Sequence, residues 1–118
     1  MSVSSIVIYH NPRCGKSRDT LKLIRDAGIE PEVVEYLKTP PTVTELDAVL
    51  KKLKLSPQEV MRKGEAVYKE LGLGERLLSR EEALQVLVDN PILIERPIVI
   101  RGSTAVLGRP PENVAALL

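Results

Sequence analysis

Apolar residues fall in short β-branched runs near the two ends of the chain and at helical spacing between them. The run "SIVIY" (5–9) reads as a buried strand. In "SRDTLKLIRDAG" (17–28), Leu21, Leu23, Ile24 and Ala27 recur at helical spacing and Gly28 marks the stop. "PEVVEYL" (31–37) alternates well enough for a second strand, and Thr39-Pro40-Pro41-Thr42 punctuates the chain after it. From Thr42 to about Asn90 the pattern is helical, in three stretches: 42–53, 56–65 and 79–90. Ser56 before Pro57 and Ser79 before Glu82 read as N-caps, the second at capping-box spacing. "PIVI" (97–100) and "TAVLG" (104–108), joined by Arg101-Gly102-Ser103, read as a hairpin, and "PPENVAALL" (110–118) as a short closing helix.

The order is therefore βαβ, a helical block, then ββα. A βαβ unit brings a parallel pair and the hairpin brings antiparallel strands, so the expected fold is α/β: a small mixed sheet with helices on its faces. The 118 residues suit one domain spanning 1–118, with the helical block inserted at approximately 42–90.

Composition narrows the function. A formal net charge of +1, with both signs dispersed, argues against a nucleic-acid surface, and three Tyr without Phe or Trp leave little for base stacking. No apolar run reaches the roughly 18 residues of a membrane span. One Cys and one His cannot supply the four ligands of a structural zinc site, and one Cys excludes an internal disulfide. With no signal-like opening, a cytoplasmic, reducing compartment is expected.

The chemistry concentrates in "YHNPRCGKSRDT" (9–20). Gly15-Lys16-Ser17 looks like the end of a phosphate loop, but the first glycine of such a loop would fall at His10. A Cys-x5-Arg phosphatase loop fails as well, because Thr20 stands where its arginine belongs. What remains is Cys14 between a strand and a helix N-terminus, where unpaired N–H groups and the helix dipole favour both a thiolate and an oxyanion. Arg13, Lys16 and Arg18 add positive charge, and Ser17 can donate a hydrogen bond to the thiolate. A lone cysteine is commonly a small buried hydrophobe, but this one is flanked by Arg, Gly and Lys, which suits a reactive thiol better. For His10 the structural and catalytic readings both stand. The Cys-x-x-Ser pair lacks a resolving thiol, so a redox cycle here needs a second thiol from outside.

"YHNPRCGKSRDTL", "VMRKGE", "NPILIERPIVI" and "GRPPE" resemble, in order and spacing, the arsenate reductase family that works with glutathione and glutaredoxin. The resemblance spans nearly the whole chain and extends to arsenate-reductase-like proteins and to a related transcriptional regulator. It implies a thioredoxin-like (glutaredoxin-like) fold and Cys14 as the nucleophile that forms a thiol–arsenate adduct. It also implies that His10 and Ser17 support the thiolate, that Arg62, Arg96 and Arg109 bind the oxyanion, and that the Arg96–Pro97 bond is cis. The implied partners are arsenate or a similar oxyanion, glutathione as external reductant, and glutaredoxin; no metal or tightly bound cofactor is implied. Lys16 stands where the well-studied reductases tend to carry a small neutral residue. The alternatives are a glutathione-linked thiol oxidoreductase with another substrate and a redox-sensing transcriptional adaptor; the regulator's switch is Cys-x-x-Cys, and here Ser17 takes the second place.

Overall fold

The computed structural model describes residues 5–118. The chain divides into two compact units: one runs through Thr39 and resumes at Arg96–Leu118, and the other is Pro40–Glu95.

The first unit holds a four-stranded sheet in the order β2-β1-β3-β4, built from β1 (Ile6–Tyr9), β2 (Glu32–Val34), β3 (Ile98–Arg101) and β4 (Thr104–Leu107). β1 pairs parallel with β2 and antiparallel with β3, and β3 pairs antiparallel with β4, so the sheet is mixed as expected. The crossover from β1 to β2 carries helix α1 (Gly15–Asp26). That helix ends where Gly28 takes a left-handed φ of 83° and the N–H groups of Gly28 and Ile29 bond back to the carbonyls of Arg25 and Ile24. This is a Schellman closure, and it turns Ile29 towards the core. Ile6 and Ile8, alternating on one face of β1, pack with Val99, with Leu21 and Ile24 of α1, and with Val114 and Leu117 of the closing helix. Each fully buried Leu or Ile of this kind contributes about 1.5–3 kcal/mol. The core therefore fixes α1 against β1, and the loop between them has both ends anchored.

Three sequence expectations change in detail. The strand expected over 31–37 is only Glu32–Val34, because Lys38 and Thr39 donate to the carbonyl of Glu35 and turn the chain away from β1. β3 starts at Ile98, one residue later than expected. The closing helix is a 3-10 helix, Pro111–Leu117.

The second unit contains α2 (Val43–Leu53), α3 (Ala66–Glu70) and α4 (Arg80–Asp89). α2 and α4 both begin with a complete capping box, from Thr42 with Glu45 and from Ser79 with Glu82. The two helices are in contact, Leu46 and Leu50 of α2 and Leu84 and Leu87 of α4 are buried, and Arg80 pairs with Asp47 at 2.8 Å. The helix expected over 56–65 does not form. One 3-10 turn, Gln58–Val60, follows Pro57; then Met61 becomes extended and bridges to Ile94. Arg62 N–H donates to Leu93 O and Glu95 N–H to Val60 O, so these backbone groups pair across two segments instead of along a helix. Ser56 still acts as a cap: its hydroxyl accepts from Glu59 N–H, and Glu59 accepts from its N–H in return.

Candidate active site around Cys14

Cys14 is the N-cap residue of α1, with extended backbone angles (φ −94°, ψ 123°) and a half-buried side chain. Its carbonyl accepts the first helical hydrogen bond, from Arg18 N–H. Its own N–H donates to Asn11 O at 3.0 Å, closing a turn over residues 11–14. Asn11, 4% exposed, organises this turn: its side-chain oxygen accepts from Arg13 N–H, and its N–H donates to Ser17 Oγ at 3.1 Å. Arg18 reaches back to Pro12 O at 2.9 Å. Backbone and side-chain hydrogen bonds thus tie the loop to itself and to the first turn of α1.

Burial pushes the Cys14 thiol up, but the backbone N–H groups of Ser17 and Lys16 and the Arg96 guanidinium favour the thiolate more strongly. The net effect is a pKa below the ordinary thiol value. Arg109 Nη1 stands 4.0 Å from Cys14 Sγ and donates to Arg96 O at 3.2 Å. Both arginines follow from the hairpin. β3 opens directly after the Arg96–Pro97 bond, which is cis, and β4 ends next to Gly108 and Arg109, whose bond to Pro110 is also cis. Gly108 N–H donates to Pro97 O at 2.9 Å, tying the two segments together. A Cβ at Gly108 would lie 2.6 Å from Thr20 Oγ1 and 2.7 Å from Pro97 Cγ. Glycine is therefore required for this close approach, which brings the Arg109 segment against α1.

His10 and Ser17 are buried at 6% and 0% exposure, with His10 Nδ1 2.7 Å from Ser17 Oγ. The hydroxyl is engaged with His10 and Asn11; the Ser17 group acting on the thiol is its backbone amide. Burial lowers the His10 pKa, Glu35 opposes that, and Arg25 and Arg18 add to it, so the neutral imidazole is favoured.

The structure thus gathers His10, Cys14, Ser17, Arg96 and Arg109 within the first unit. Arg62 belongs to the second unit, on the extended segment after Met61. There its Nε donates to Glu65 and its Nη1 to Glu95, at 3.2 and 3.1 Å. Sequence reasoning passed over Asn11, for which the Asn-Pro turn signal was available, and Gly108 with Thr20, for which nothing local was. Among the described residues no group of three or more His, Cys, Asp or Glu could hold a metal ion, and no helix is long and apolar enough to cross a membrane.

A strand leading into a cysteine at a helix N-terminus, faced by a cis-proline hairpin, defines a thioredoxin-like thiol site. Residues 9–117 match the model of the ArsC family. The chain is 51% identical over 114 residues to "Uncharacterized protein YfgD" of Escherichia coli K12, covering 96% of both chains. It is 47% identical to an arsenate reductase of Neisseria meningitidis, covering 96% of this chain and 97% of that one. A solved structure of an arsenate reductase from Vibrio cholerae superposes with a TM-score of 0.94 at 46% identity, covering 99% of this chain and all of that one. The chain belongs to the ArsC family, and so to a family of reductases with a thioredoxin-like fold.

Proposed function

We propose that this protein reduces arsenate to arsenite, with Cys14 as nucleophile and with glutathione and glutaredoxin supplying the electrons. The observation that carries the reading is the Cys14 thiol, held towards its thiolate by the Lys16 and Ser17 amides and the Arg96 guanidinium, with Arg109 beside it. Two fixed guanidinium groups and a helix N-terminus make a site for a tetrahedral oxyanion as well as for a thiolate. Arsenate reductases 47% and 46% identical to this chain suggest the substrate.

In this reading the Cys14 thiolate attacks arsenic and hydroxide departs, leaving an S–As(V) bond; Arg96 and Arg109 balance the negative charge on the oxygens. Glutathione sulfur then displaces a second hydroxide, which leaves as water with the glutathione proton. A glutaredoxin thiolate attacks the glutathione sulfur. The new S–S bond forms as the S–As bond breaks, and its electron pair stays on arsenic, reducing As(V) to As(III). Hydrolysis of the remaining S–As bond releases arsenite and restores Cys14. His10 and Ser17 support the thiolate through the loop: Ser17 fixes the first helical turn whose amides face sulfur. Arg62 takes the oxyanion role that its place in "VMRKGE" implies, with Glu65 and Glu95 orienting its guanidinium.

The test is arsenate-dependent NADPH oxidation coupled through glutathione, glutaredoxin and glutathione reductase. Turnover by the protein and none by Cys14→Ser supports the reading. No turnover by the protein, despite a thiol that alkylates quickly, removes arsenate as substrate.

A further inference from the structure

Where β1 and β2 end side by side, the chain after each strand diverges, and a cavity of about 210 Å³ opens between the two segments. Such an opening beyond the carboxyl ends of parallel strands is where α/β sheets commonly take ligands. His10, Asn11, Pro12 and Arg13 line one side, and Glu35, Leu37 and Lys38 the other. His10 and Asn11 are buried, Pro12 and Leu37 are exposed apolar surface, and Arg13 and Lys38 are exposed cations. Glu35 and Lys38 face each other at 3.4 Å in an exposed pair. A pair of that kind adds little stability, so both groups can exchange partners with a ligand.

We infer that this cavity docks the backbone of glutathione, with Arg13 and Lys38 meeting its two carboxylates and Glu35 its ammonium group. The inference rests on the proposed function and assigns the reductant a place. The charge pattern selects the occupant. Two cations, one anion and a short apolar wall match a tripeptide with two carboxylates, one ammonium and a thiol between them. An inorganic oxyanion uses only the cations and leaves Glu35 opposed to it. Arg13 is also the residue bonded to Cys14, so one wall of the cavity is the loop that leads to the nucleophile. In the proposed cycle the glutathione sulfur bonds to arsenic as the displaced hydroxide takes the thiol proton and leaves as water.

The test uses S-methylglutathione, which binds but cannot react, titrated into the full isotope-labelled chain carrying Cys14→Ser and followed by amide chemical shifts. The expected result is saturable shifts at Arg13, Glu35, Leu37 and Lys38. Lys38→Glu is expected to weaken binding about fivefold, whereas Lys22→Glu, the same charge change in an exposed pair with Asp26, leaves it unchanged. Shifts that fail to saturate, that saturate elsewhere, or that weaken equally in both variants overturn the assignment. Binding of this probe needs no arsenate turnover. A chain that binds it without reducing arsenate keeps this site and loses the functional reading; one that reduces arsenate while these amides stay silent does the reverse.

Discussion

Ser17 Oγ stands 2.7 Å from His10 Nδ1 and also accepts from Asn11 N–H, with all three residues buried. One hydroxyl thus ties the end of β1, the loop and the first turn of α1 into a single unit. Ser17→Ala leaves two buried polar groups without this partner, a loss of about 1–3 kcal/mol. Urea denaturation should show that loss, and the Cys14 alkylation rate should fall with it as the turn that presents amides to sulfur loosens.

His10 makes stability depend on pH. Its folded-state pKa lies below the ordinary 6.5, with burial the main cause, so the fold prefers the neutral ring. The contribution is fully present above 6.5 and is lost as pH falls through 6.5 towards and past the folded value. Denaturation midpoints should therefore decline on acidification across that range, and His10→Gln should flatten the decline.

The Cys14 thiolate has the Arg96 guanidinium among its stabilising groups, and Arg109 lies at the limit of hydrogen-bonding distance. The pH profile of iodoacetamide alkylation should accordingly have its midpoint below that of a free thiol. Arg96→Gln should move the midpoint up, and further than Arg109→Gln does. Equal midpoints in the protein and in Arg96→Gln would remove Arg96 from the account.

Gly108 packs against Thr20 and Pro97 with no room for a methyl group. Gly108→Ala should cost about 1–3 kcal/mol through overpacking. Combining it with Thr20→Ala should recover only part of that, because Pro97 remains in the way. Thermal melts of the three variants check this.

Much of the layout was legible in the sequence because the strand and helix periods were clean: the β1 run, the α1 stripe closed by Gly28, and the Ser79 capping box all formed. The loop's chemistry was legible for the same reason, since a cysteine between a strand and a helix start meets N–H groups wherever that pattern folds. Legibility failed where a distant segment decided the outcome. Residues 56–65 carry helical spacing and a capped start, yet Val60, Met61 and Arg62 pair with Leu93, Ile94 and Glu95. Nothing local announces that partner. The role of Gly108 depends likewise on Thr20, far away in sequence, and the Ser17 hydroxyl was claimed by His10 and Asn11 before it could serve the thiol.

The most direct measurement is arsenic speciation after incubating the protein with arsenate, glutathione and glutaredoxin. Arsenite should accumulate in proportion to the NADPH consumed by the coupled glutathione reductase, and Cys14→Ser should form none. Arsenite formed equally by Cys14→Ser, or NADPH consumption with arsenate left intact, would contradict the assignment of arsenate reduction to Cys14.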